Sequence, residues 1–480
     1  MMERQILVAS TGGSEGIAML KGIRSAGVFC VMTDARQPVV PPEARGIVLI
    51  GSACGDIGQG LRALLDTNLP MLAFGAPTAQ LCAALGGSVT GHAFDAQLKD
   101  VRFANLGVCA GVEGGMRMLG GAEYLSLPQG FRTLSVAEGA ILGYDDGQGL
   151  RMGFQFVPEA HDVEASEIIG NFLWQVAGLQ PDYSCESYAA QMVAELRARV
   201  GDGQAVCVLS GGVDSATAAC LARRAVGDRL HCLVIDTGLN RAGEIEHIQE
   251  AAGQMGLSIR RINAQGRVME QLRGCVTPQQ KRQAVAGFLS SRVADEVARL
   301  GGHVVVIEGA NYAEILHNEQ TGGLPGDIPV ARPLELLFKD EVRELARLLG
   351  VPGPIAQRQH YPSAGIALRC VGPVDADKLS ALRTADTLLR QTLEEAGQRR
   401  QNVLAFAVLT DLTDAFLSEE KRYVVVLRAV HVASSDHASV QRLPQDVLER
   451  AAERIMERAP GVYRVVFDVT SVPPATVEWE

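Results

Sequence analysis

Ser210, Gly211, Gly212, Val213, Asp214 and Ser215 are the residues of this chain whose types and spacing point most directly to chemistry. They follow the apolar run Val206-Cys207-Val208-Leu209, so a strand empties into a glycine turn and then a helix start. Two residues without Cβ let backbone N–H groups close on phosphate oxygens, while the serine hydroxyls add donors and the helix presents its positive end. Such a turn makes a pyrophosphate cradle, and Asp214 is placed to help hold Mg2+ directly or through water. The loop G-x-x-x-x-G-K-S/T is absent from the sequence, so a lysine grip on a γ-phosphate is not indicated.

The elements that must position this turn read as a parallel α/β unit, with strands at 205–209, 231–235 and 303–307 and helices between them. Ligands in such sheets sit at the carboxyl ends of the strands. The turn, Asp236-Thr237-Gly238 and Glu308-Gly309-Ala310 all fall there. Upstream, apolar runs at 6–9, 28–32, 46–50, 71–74 and 152–156 alternate with helical patterns and predict a second parallel sheet, with 179–187 as a linker. From about Val371 a helix (376–396), a strand (423–430), a helix (443–458) and a terminal strand (463–469) suggest a small α+β module. It is too thin to cover both sheet faces alone, so a dimer interface is expected to supply the cover.

At 480 residues the chain has room for about three domains of ~150 residues. Lys and Arg number 44 against 55 Asp and Glu, a net charge of -11 without a basic block, which argues against a nucleic-acid partner. The apolar run at 6–9 is too brief for a signal segment and no stretch approaches a membrane span, so a cytoplasmic protein with no membrane partner is expected. Ten cysteines without any C-x-x-C suggest small core residues rather than a zinc site or disulfides.

The Ser210–Ser215 turn resembles the S-G-G-x-D-S loop of ATP pyrophosphatases. Pro473-Pro474-Ala475-Thr476-Val477-Glu478-Trp479-Glu480 resembles the end of the GMP synthetase family. The segment from Leu334 to Arg343, Gly322-Gly323-Leu324-Pro325 and Leu427-Arg428-Ala429-Val430 match the same family in order, so the resemblance spans essentially the whole chain. It implies a flavodoxin-like class I glutaminase-type domain over 1–180 and an ATP pyrophosphatase parallel-sheet domain, of the adenine nucleotide alpha hydrolase type, over 188–368. A small α+β dimerisation domain over 369–480 completes the implied architecture, with a homodimer as the assembly. In that family glutamine-derived ammonia displaces AMP from a carbonyl oxygen of xanthosine monophosphate that ATP has activated.

Several motifs depart from the family pattern. The glutaminase elbow G-I-C-Y-G-M-Q aligns so that Gly75 takes the place of the nucleophile. Q-F-H-P-E becomes Gln155-Phe156-Val157-Pro158-Glu159, so Val157 replaces the base and Glu159 remains, while S-H-G-D becomes Ser126-Leu127-Pro128-Gln129. A glutaminase without nucleophile or base is expected to be silent. Cys54 and His161 are the available substitute pair, although neither occupies the elbow. On the acceptor side Leu316 and Val472 stand where the family has lysines, and His431, Asp436 and His437 change the tail of R-A-V-E-T-x-D-x-M-T. A nucleotide monophosphate wants cations nearby. A less anionic, purine-like acceptor is therefore expected.

The resemblance implies that Ser210–Ser215 hold the pyrophosphate of ATP, and that Ile235, Asp236, Gly238 and Gly309 line the adenosine pocket. Asp236 is equally well read as a cap or turn residue. Lys339 matches the family's F-K-D lysine, placed to stabilise charge in adenylyl transfer, with a solvated helix charge as the other reading. Arg369, His431, Asp436, Thr476 and Glu478 fall on acceptor-facing segments. Beside an ammonia-dependent GMP synthetase acting on xanthosine monophosphate, three functions remain open from sequence. The first is an AMP- and pyrophosphate-forming ligase using ammonia or a partner-supplied amine. The second is a sulfur-inserting adenylating enzyme, with Cys207, Cys220, Cys232, Cys275 and Cys370 as the thiols available. The third is a nucleotide-binding regulator, against which the intact loop weighs.

Overall fold

The five apolar runs of the N-terminal part form adjacent strands. In the computed structural model, which describes residues 5–52, 55–159, 162–316, 323–358, 364–398, 403–412, 423–432 and 438–479, the chain divides into two units, Met1–Gln191 and Met192–Glu480. In the first unit Cys30–Asp34, Gln5–Ser10, Ala44–Gly51, Met71–Gly75 and Arg151–Phe154 lie side by side and parallel in that order. Ile6, Leu7, Val8 and Ala9 are wholly buried, as expected of a parallel strand covered on both faces.

The sheet is wider than the sequence suggests. Ala140–Asp145, Arg132–Ala137, Ser88–Phe103 and Gly115–Ser126 extend it antiparallel to nine strands. Ser88–Phe103 is mostly exposed and register shifts interrupt its long hairpin with Gly115–Ser126, so no continuous apolar run betrays that pair. Within the segment read as a linker most residues are exposed, but Leu179 is buried, and Tyr183 donates its N–H to the Gly27 carbonyl at 2.8 Å and lies 5.3 Å from Phe29 ring to ring. The boundary between units falls inside the helix Cys185–Val200.

The second unit holds a five-stranded, all-parallel sheet ordered Ile259–Asn263, Leu230–Asp236, Gln204–Val208, Val304–Ile307 and Val330–Ala331. From Gln204–Val208 the chain winds first to one side and then crosses to the other, which makes the carboxyl end of that strand a topological switch point. A second sheet pairs Tyr423–Val432 with Val403–Leu409, Ala438–Val440 and, in parallel, Val462–Asp468. The helices Ala376–Glu395 and Gln445–Arg458 cover one face, and their core runs without a break into that of the parallel sheet. The other face carries Leu404, Phe406, Val408, Val426 and Val430, against which Val472, Val477 and Trp479 of the tail pack. The cover expected from a partner is thus supplied in good part by the chain's own end. No helix among the described residues is long and apolar enough to cross a membrane.

Candidate active site

The glycine turn closes the strand Gln204–Val208 and opens the helix Val213–Val226. Its serines brace the loop internally: Ser215 Oγ accepts from the Ser210 amide at 3.2 Å and lies 3.0 Å from Ser210 Oγ, and it donates to the Gly212 carbonyl at 3.1 Å. The two glycines have different reasons. Gly211 has φ of 79°, and a Cβ there would run into the Arg358 guanidinium, which donates to the Gly211 carbonyl at 2.7 Å. At Gly212 φ is -82°, and a Cβ would meet only Ser210 Oγ, at 3.4 Å. Any need for glycine at 212 therefore comes from a ligand.

Lys339 and Asp214, 125 residues apart, form an ion pair at this turn. Lys339 opens the helix Lys339–Leu349, before which Phe338 is extended and donates its N–H to Glu341 Oε2 at 2.8 Å. A lysine at a helix N-terminus opposes the helix dipole, so its place there favours the contact with Asp214 over the reading as a solvated helix charge. Gly309 lies on the same turn, where a Cβ would stand 2.7 Å from the Asp214 carbonyl carbon. Its smallness lets the third strand's end approach the loop.

Three residues the sequence reading passed over belong to the cluster. Asn311, buried, brings its side-chain amide to 3.5 Å from Asp214 Oδ1. Arg358 bridges Gly211 to the buried carboxylate of Glu244, forming an ion pair with it. Asn311 was reachable in sequence, two residues past Gly309. Arg358 was not, since it lies 147 residues from its partner.

Asp236 is committed to its own turn. It accepts from the Gly238 amide at 3.1 Å, Arg261 at 2.6 Å and Gln265 at 3.1 Å. Burial works to raise its pKa, but these donors outweigh burial and hold the carboxyl below its ordinary value. Gly238 takes φ of 73°, and Ile235 is buried in the core beside it.

Several residues expected from sequence to face the acceptor meet one another or the tail. Arg369, fully buried, reaches Glu478 at 3.2 Å and Asp386 at 3.8 Å and lies 4.1 Å above the Phe406 ring. Arg428, also buried, pairs with Asp468 and donates to the Thr476 and Val477 carbonyls at 2.7 and 3.2 Å. His431 is exposed near the end of its strand. Val472 packs on the apolar face. Asp436, His437, Cys54 and His161 lie outside the described residues.

In the first unit, Gly75 ends its strand with φ of 75° and the helix Pro77–Ala84 follows, so the strand–helix elbow is kept. Val157 Cγ2 lies 2.7 Å from where a Cβ on Gly75 would project. Sequence reasoning paired these two positions, and the fold brings them together. Glu159 is exposed. The thiols of Cys207, Cys220, Cys232 and Cys370 are all buried, and burial raises their pKa, to about 11 for Cys220 and Cys370 and about 12 for Cys232. Thiols so protonated are poor nucleophiles.

The family model described as NAD synthase matches residues 187–415, and that described as GMP synthase C terminal domain matches residues 391–479. A glutamine-hydrolyzing GMP synthase from Symbiobacterium thermophilum is 34% identical over 99% of this chain and 99% of its own. One from Thermomicrobium roseum is 36% identical over 99% of this chain and 96% of its own. Among solved structures, the NMN synthetase from Francisella tularensis aligns with 38% of this chain and 78% of its own, at 23% identity and a TM-score of 0.34. Full-length identity at this level, with the two family models falling in order from residue 187 to 479, establishes that the chain belongs to the GMP synthase family.

Proposed function

We propose that this chain is an ATP-dependent ligase that adenylates a carbonyl oxygen of a purine-like acceptor and lets ammonia displace AMP, with its own glutaminase silent. The observation that carries the ligase reading is the convergence of the Ser210–Gly212 loop, Asp214, Lys339 and Asn311 at the switch point of the parallel sheet. In this reading the loop N–H groups grip the leaving pyrophosphate, and Lys339 stabilises charge gathering at the α-phosphate.

Mg2+ fits as an ion shared with the nucleotide: Asp214 supplies one carboxylate, and the described residues hold no cluster of three metal-ligating side chains that would cage an ion alone. When bound there, the ion would spread the charge of the leaving group. The silent glutaminase rests on Gly75 and Val157. An elbow without nucleophile or base moves no proton.

Arg369, Thr476 and Glu478 are assigned to the acceptor side, where the Arg369–Glu478 and Arg428–tail contacts support a preformed wall. Domain limits of 1–180, 188–368 and 369–480 and a homodimer remain our reading, the latter supported by exposed Val432, Val466 and Val469. The deciding experiment measures AMP and pyrophosphate with ATP and an acceptor panel, with ammonium or glutamine as nitrogen source. Turnover with ammonium alone supports the proposal. Equal turnover with glutamine, or formation of a thio-product, sinks it.

A further inference from the structure

The first unit carries a second strand–glycine–helix turn, independent of the one described. The strand Gln5–Ser10 runs into Thr11-Gly12-Gly13-Ser14-Glu15-Gly16, which opens the helix Glu15–Ser25. Gly12 and Gly13 take φ of 114° and 88°, which makes the tight turn. A Cβ at Gly16 would lie 2.6 Å from Ser10 Oγ and 2.9 Å from Met32 Sδ, so this glycine lets the helix close on the strands. The sheet order puts Cys30–Asp34 on one side of this strand and Ala44–Gly51 on the other, a switch point of its own.

Two further observations point to a ligand here. Thr11 is 6% exposed, and its Oγ1 has no hydrogen-bond partner among the described residues. That hydroxyl points at Gly51, the last residue of the neighbouring strand, and so into the crevice between the two strand ends. Asp34 ends the other neighbouring strand in register with Ser10; its side chain is 55% exposed, with Oδ1 accepting from the Arg36 amide at 2.8 Å and lying 3.5 Å from the Arg36 guanidinium. An acidic residue about 20 positions beyond such a turn is suited to a ribose diol.

We propose that the first unit binds a ribonucleotide with free ribose hydroxyls, a dinucleotide by preference, with the diol on Asp34 and the phosphates on Gly12, Gly13 and the helix start. Glu15 sets a condition on that site. Its carboxylate folds over Gly13, and its Oε2 lacks a partner among the described residues, so an arriving phosphate must turn it aside. Asp34 repels a 2′-phosphate.

The test titrates the full chain with NADH, NADPH and AMP, following fluorescence or calorimetry, in the parent and in Thr11→Val, Asp34→Asn, Glu15→Gln and Asp214→Ala variants. NADH is expected to bind more tightly than NADPH, and Asp34→Asn to narrow that preference by roughly tenfold. AMP is expected to compete more weakly. Thr11→Val should weaken NADH while leaving the melting temperature unchanged or raised, since the hydroxyl makes no internal bond to lose. Glu15→Gln should tighten binding. Asp214→Ala, in the other unit, should leave NADH binding intact. Loss in Asp214→Ala would place the dinucleotide on the Ser210 turn and overturn the proposal. So would binding indifferent to Thr11 and Asp34, NADPH bound as well as NADH, or no NADH binding at millimolar concentration.

Discussion

Val157 Cγ2 sits 2.7 Å from the point to which a Cβ on Gly75 would project, and the Gly51 carbonyl crowds the same point. The space beside Gly75 at this strand–helix elbow is closed by an aliphatic side chain and a backbone oxygen. Two positions far apart in sequence are therefore neighbours at one local site.

The first prediction is that this closure is not undone by restoring residue types. Gly75→Cys with Val157→His should release glutamate from glutamine at no more than about a thousandth of a working glutaminase rate, because the Gly51 carbonyl still occupies the Cβ site. Glutamate release in a coupled assay checks it, and recovery to family-like rates would show the backbone can adjust.

The two loop glycines should separate fold from ligand. Gly212→Ala is expected to keep the parent melting temperature within a few degrees yet remove ATP-dependent pyrophosphate release, since a Cβ there meets only Ser210 Oγ at 3.4 Å. Gly211→Ala should destabilise by about 1–2 kcal/mol from its positive φ, and more if Arg358 is displaced. Calorimetry of both variants, with and without ATP, reads the difference.

Removing the Lys339 cation should slow chemistry more than binding. Lys339→Gln is expected to lower kcat about 100- to 1,000-fold, the usual scale for losing one charge-stabilising donor, with a smaller change in the KM for ATP. An unchanged kcat would return Lys339 to the role of partner for Asp214.

Xanthosine monophosphate should be a poor acceptor. If Leu316 and Val472 each remove a charge-assisted contact worth ~1.5–3 kcal/mol, binding weakens by roughly a hundredfold or more. Val472 faces the apolar cluster around Phe406, so Val472→Lys is expected to destabilise the tail rather than restore affinity. Steady-state kinetics with ammonium decide it; a KM in the tens of micromolar with rapid GMP formation would make the chain an ammonia-dependent GMP synthase.

The Asp236 turn should show in acid. Its carboxyl titrates below the ordinary 3.8 in the folded chain, because donors from Arg261, Gln265 and Gly238 outweigh burial. The folded state therefore holds this proton more weakly than the unfolded one. Its contribution is complete above about pH 4 and fades as pH falls through the folded pKa. The stability gap between parent and Asp236→Asn should shrink over that window. A gap independent of pH would assign the loss to packing.

The sequence by itself determined the parallel strands and the glycine turn at Ser210–Ser215. Their signals are local: Ile6-Leu7-Val8-Ala9 is apolar because both faces are covered, and Gly211 is glycine because its φ is positive. It also paired Gly75 with Val157 through motif alignment. Only the tertiary structure decided that Lys339 meets Asp214 across 125 residues and that Arg358 braces Gly211 across 147. Only the fold, too, showed the tail covering a sheet face expected to need a partner. Propensity and periodicity act over a turn or a strand, whereas which side chains share a site is set by how distant elements pack. The hairpin Ser88–Phe103 and Gly115–Ser126 stayed hidden for the complementary reason: Ser88–Phe103 is held by backbone pairing with shifted register and is mostly exposed, so it leaves no regular apolar period to read.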